Sequence, residues 1–195
     1  MANHSEPYIE FDEDKFVDVV HYVCQLFKEQ PDALGQVKLH KILYFADMTS
    51  FFETGQPLTG VEYQKQPLGP TARHLGKALK RLQESGKLKV SKRRVYGYNK
   101  ADFEVMKPLE SNRLTDHEMG LLRAVAEWAS GLTAMEISEA SHKDPWRSVK
   151  QGERIDYATA GQLFPRMGPT DADLKWAQDS AKLIESGQVN VRNLP

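Results

Sequence analysis

Only one cysteine, Cys24, occurs in the 195 residues, so no disulfide can form within the chain and a thiolate-built zinc site is not expected. Cys24 lies among Val20, Val23 and Phe27. His21 is near enough in sequence to share its helical face, but so apolar a setting suits a small buried thiol better than a nucleophile. Long hydrophobic runs are also missing. Charge interrupts every apolar stretch well short of the roughly 20 residues that cross a bilayer, so no membrane contact is expected. The N-terminus, MANHSEPYIEFDEDKF, is acidic where a secretory leader is basic and then apolar, and a cytoplasmic location is expected.

Catalytic patterns are missing in the same way. The histidines, at positions 4, 21, 40, 74, 117 and 142, are scattered without a His-x-x-x-His pair, so neither metal nor cofactor is expected. In QPLGPTARHLG the glycines Gly69 and Gly76 do not make a phosphate loop, because Pro70 removes a backbone donor where one is needed. No G-x-S-x-G, H-E-x-x-H or paired-carboxylate pattern stands elsewhere. The expectation is a protein without catalytic residues, not an enzyme.

What is present is an ordinary balance of 40% hydrophobic and 27% charged residues, which suits one domain with a real core. Apolar spacing predicts a helix over 14–28 with one buried stripe and Asp12 as its N-cap, then an unusually apolar central helix over 37–52. On that helix Tyr44, Asp47 and Lys41 fall on a less apolar side, a contact surface or a solvated face. VEYQKQ reads as extended, and Pro70 as the first turn of a third helix over 70–84. KLKVSKRRV and DFEVMKPL then alternate as a β-hairpin around Gly97 and Asn99. Thr115 with Glu118, and Thr133 with Glu136, form capping boxes for two further helices. DPWRSVKQGERIDYATAGQLF reads as loop or short helical turns, and Thr170 with Asp173 opens a last helix. The fold expected is mainly α with a small β-hairpin (α+β), a compact single-domain helical bundle.

The net charge of −1 conceals a local surplus: residues 71–100 carry ten lysines and arginines against Glu84 alone. A basic helix followed by a basic hairpin is the order of a winged helix, in which Arg73, His74, Lys77 and Lys80 would face a groove and Lys92, Arg93 and Arg94 would touch phosphates. A patch for an acidic protein partner, or a solvated basic face, explains the same charge.

Three segments taken together resemble one family. K-L-x-K-x-L-Y-F-A-D at residues 38–47, T-G-x-x-[IL]-T-G-x-x-Y-x-K-x-x-x-G-P at 54–70, and S-H-x-x-x-W at 141–146 look like the Panacea domain of SocA-like antitoxins, also called a phage-associated-protein domain, over about residues 15 to 165. The resemblance implies a mostly helical bacterial or prophage protein that neutralises a toxin encoded by a neighbouring gene through direct protein–protein binding. For some members it implies an adaptor that presents the toxin to a protease. It divides the chain into a polar segment 1–13, a Panacea-like domain 14–165 and a C-terminal helical extension 166–195. It also places Tyr44, Asp47, Tyr63, Lys65, Gly69, Pro70, Arg73, His142 and Trp146 on or near the partner-binding face. Lys77, Lys80, Lys92, Arg93 and Arg94 remain the alternative patch for nucleic acid or an acidic partner. No DNA-binding module is appended, so nucleic acid is the lesser expectation.

Overall fold

The structure is a computed structural model that describes residues 9–95, 97–164 and 175. The chain divides into residues 1–163 and 164–195, and the elements lie in the first of these. The helix expected after Thr170 lies outside the described residues.

Helix α1 (Glu13–Leu26) starts where Asp12 accepts the Lys15 amide at 2.9 Å. Every residue from Phe16 to Cys24 is buried, which is more than the single stripe expected. Its polar side chains find partners inside: Asp18 accepts from Ser111 at 2.6 Å and from Arg113 at 3.0 Å. Helix α2 (Gln36–Thr54) runs from Gly35 to Gly55, whose φ of +75° ends it in a left-handed cap. Elements surround α2 on nearly all sides, namely α1, α4, α5 and the strand β2. The side read as a contact surface or a solvated face is therefore interior, and Lys41, Tyr44 and Asp47 are buried along with Leu39, Ile42 and Leu43.

Strands β1 (Tyr63–Gln66) and β2 (Gly69–Ala72) form a hairpin that pairs Lys65 with Pro70. Pro70 therefore lies in a strand and not at a helix start, a correction to the sequence reading. β2 is the edge of a three-stranded sheet ordered β2-β1-β5, where proline is tolerated because its missing N–H can face away from the ladder. That free edge is not left to water: Nδ1 of His40 accepts the Ala72 amide at 3.1 Å, and Nζ of Lys41 donates to the Pro70 carbonyl at 2.7 Å. Two consecutive side chains of α2 thus stand in for the neighbouring strand.

Helix α3 (Leu75–Glu84) follows, shorter than expected, burying Leu75, Ala78, Leu79 and Leu82. The expected hairpin is β3 (Leu88–Val95) with β4 (Tyr98–Val105), in the register Leu88 to Val105. Both capping boxes form: in α4 (Asp116–Ser130) and α5 (Ala134–Ser141) the N-cap threonine and the glutamate three residues on each accept the other's backbone N–H. A short α6 (Asp144–Arg147), strand β5 (Arg154–Ile155) and a 3-10 turn (Tyr157–Gln162) complete the unit. The architecture is mainly helical α+β, with a three-stranded sheet that the sequence reading did not contain.

Candidate interaction site

The first motif turns inward. Asp47 is 1% exposed and accepts three hydrogen bonds, from the Thr59 amide (2.7 Å), the Thr59 hydroxyl (2.8 Å) and the Tyr63 hydroxyl (2.7 Å). Burial pushes its carboxyl up, and the donors from Tyr63 and Thr59 pull against that shift. The Tyr63 hydroxyl is raised well above its ordinary value, first by burial and then by the Asp47 charge. Tyr157 adds a bond to the Val61 carbonyl at 2.7 Å. Tyr63 meets Tyr44 edge-on at 5.2 Å and Tyr157 at 6.1 Å. The T-G-x-x-L-T-G loop is thus tied to α2 by a buried polar network, in which each missing partner would cost about 1–3 kcal/mol.

The second and third motifs meet each other. The Ser138 hydroxyl donates to the Leu68 carbonyl at 2.8 Å, and the Trp146 indole N–H to the Gln66 carbonyl at 3.1 Å. Lys65 reaches the Val149 carbonyl at 2.7 Å with its ammonium 4.2 Å from the centre of the Trp146 ring, and the His142 ring stacks on Trp146 at 4.0 Å. Where Gly69 sits, with φ at +92°, a Cβ would lie 2.4 Å from Oγ of Ser141 and 2.8 Å from Cε of Lys41. The S-H-x-x-x-W segment therefore clamps the β1–β2 hairpin from outside while α2 pins it from inside.

This placement sorts the expected partner-binding residues. Tyr44, Asp47, Tyr63, Gly69 and Pro70 are buried, so they cannot touch a partner in this conformation; they stand behind the surface and not on it, because each spends its polar or steric character on the hairpin and loop. Lys65, His142 and Trp146 are half-buried and stacked together. Arg73 is exposed and paired with Glu62 at 3.2 Å.

The basic stretch is also largely spent within the molecule. Lys77 pairs with Glu13 at 2.8 Å, Arg81 with Asp14 at 2.6 Å, Lys80 with Glu84 at 3.7 Å and Lys89 with Glu104 at 2.9 Å. Arg93 holds both Asp102 and Asp32, and His74 stacks on Phe11 at 4.8 Å. Within residues 71–100, the exposed Lys92 and Arg94 and the half-buried Lys87 have no carboxylate partner among the described residues. Cys24 is buried, and burial pushes its thiol up to about 12. His21 instead contacts the Lys107 carbonyl at 3.0 Å. Among the described residues no three His, Cys, Asp or Glu side chains gather at metal-binding separation, and no helix is long and apolar enough to cross a membrane.

Two side-by-side hollows open on the outer side of this pinned hairpin. One, of about 780 Å³, lies between the start of α2 and the α4–α5 junction; the other, of about 440 Å³, lies over His40 and Lys41. Leu68, at the hairpin tip and 60% exposed, lines both. The sequence reading missed Lys38, His40 and Leu68. Its only signal for them was the presence of Lys38, His40 and Lys41 in the first half of a very apolar helix.

A family model described as the Panacea domain of SocA-like antitoxins matches residues 39–147, more than half of the chain. No curated protein and no solved structure matches the sequence.

Proposed function

Because the chain belongs to the family of SocA-like antitoxins with a Panacea domain, we propose that it neutralises a cognate toxin, encoded by a neighbouring gene, by binding it directly and without catalysis. Family membership carries this reading. The geometry supports it in one respect: the motif's polar groups are used to make a rigid scaffold, and the exposed apolar side chains Leu68 and Met135, 60% and 76% exposed, are left to a partner. Occlusion of the toxin's working surface is the simplest mode, and handing the toxin to a protease is a second mode open to the same contact. The setting is the cytoplasm, in a bacterial or prophage-encoded pair.

The test is growth. Expression of the adjacent gene alone arrests cells, and co-expression with this chain restores growth together with a copurifying complex. An adjacent product that is harmless alone, or that stays toxic and unbound beside this chain, contradicts the reading.

A further inference from the structure

Lys38 is 6% exposed as a whole residue, and among the described residues its ammonium has no hydrogen bond or ion pair, but that nitrogen is not enclosed and so keeps contact with solvent. Lys38 lines the larger hollow, so its aliphatic stem is covered while its unpaired charge is open to an incoming group. Its neighbour Lys41, 1% exposed, lines the smaller hollow and among the described residues has one acceptor, the Pro70 carbonyl, for three N–H groups. Beside it, His40 accepts the Ala72 amide through Nδ1, so the neutral ring carries its proton on Nε2 and has a donor to spare.

The start of α2 adds to this field. Gly35, Gln36, Val37 and Lys38 all line the larger hollow. Gly35 has no side chain to accept the first-turn amides, and no acid lies in that turn, so the positive end of a 19-residue helix faces the hollow uncapped. The nearby acids are already engaged: Asp32 by Arg93 and Lys100, and Glu136 by the Thr133 amide at 2.7 Å. Burial, followed by the Lys100 charge, holds the Lys38 ammonium below its ordinary pKa, with Glu136 opposing. An incoming carboxylate would reverse that balance.

Ala33, Val37, Leu68, Leu132 and Ala134 supply an apolar part of the lining, beside the polar Asp32, Asn99, Lys100, Ser130 and Thr133. Gln36, Val37, Leu68 and Asn99 belong to both hollows, so the two adjoin along a shared wall in which Leu68 stands. The Ser138 bond to the Leu68 carbonyl fixes the backbone of the hairpin tip, so little backbone ordering remains to be done on binding.

We propose that the two hollows together form the toxin-binding groove and that its occupant is an acidic segment of the toxin, an aspartate or glutamate flanked by aliphatic residues. The carboxylate sits on Lys38 and the α2 N-terminus with Lys41 and His40 beyond, and an aliphatic neighbour packs on Leu68. The assignment rests on the antitoxin reading and names the surface through which it acts.

The experiment uses the purified full chain and the purified product of the adjacent gene, with calorimetric affinities at low and moderate salt. Leu68→Asp alters an exposed tip and places a negative charge in the groove; Lys38→Gln removes the unpaired cation while keeping a long polar side chain. Both are expected to melt near the wild type and to weaken the complex about tenfold or more. Lys87→Glu, which lines neither hollow, is expected to bind as the wild type does. Among short peptides tiling the toxin, an acidic one is expected to bind, and its amide form, with Asn and Gln in place of the acids, is not. Full affinity in both groove variants, or equal binding of acidic and amide peptides, overturns the groove assignment while leaving the antitoxin reading intact. Failure of the wild-type chain to bind the toxin overturns both.

Discussion

At His40 one ring nitrogen is committed to the Ala72 amide and the ring is buried, so burial, with Lys41 beside it, holds its pKa down at about 3. An unfolded histidine titrates near 6.5. Between these values the unfolded chain binds a proton that the folded chain does not. The contribution of His40 to stability is therefore complete above about pH 6.5 and is lost as pH falls towards 3, by up to about 1.4 kcal/mol per pH unit. Urea denaturation of wild type and His40→Gln between pH 7 and 4 is expected to show the wild type losing stability faster, so that the gap between the two curves narrows or inverts towards acid. Parallel curves would show that the ring protonates freely in place. Lys41 follows the opposite chemistry with the same sign: burial lowers its pKa to about 7, so the folded state gains relative stability as pH rises from there towards 10.5. Neither role was legible in the sequence, because the Ala72 and Pro70 partners lie 32 and 29 residues away. What the sequence did show was cationic and imidazole side chains on an apolar helix, and their burial is the outcome of that conflict.

Among the elements, the β1–β2 hairpin carries the most consequence per residue, since α2 and the α5–α6 segment both hold it. At Gly69 side chains from both supports, Lys41 and Ser141, crowd the backbone. Gly69→Ala combines a φ of +92° with collisions against Ser141 and Lys41, so it is expected to cost about 3 kcal/mol or more. Gly86→Ala shares a positive φ, +65°, but has nothing within 4 Å of the added methyl, and about 1 kcal/mol is expected. Equal losses in chemical denaturation would mean that the close approach at Gly69 relaxes without strain. The contrast in legibility is physical. The two capping boxes and the Asp12 cap are interactions across three residues, and local spacing announces them. Pro70 satisfies a helix start and an edge strand equally well. The choice was made by His40, Lys41 and the Trp146 segment, all distant in the chain.

Across the whole molecule, charge and exposure separate scaffold from surface. The family motif was legible as a pattern of residues, but its meaning as an inward-facing network was not, because sequence cannot distinguish a buried Asp–Tyr–Thr network from a polar contact patch. The basic surplus over residues 71–100 was legible as a sum, while its pairing with Glu13, Asp14, Asp32 and Asp102 depends on the tertiary fold. The contact surface we propose is built from Leu68, the uncapped start of α2 and the α4–α5 junction. Hydrogen exchange of the free chain and of its complex with the adjacent gene's product tests that claim most directly. The account predicts newly slowed amides at residues 34–38, 66–69 and 132–135, with β3–β4 unchanged; slowing confined to β3–β4, or none anywhere, would contradict it.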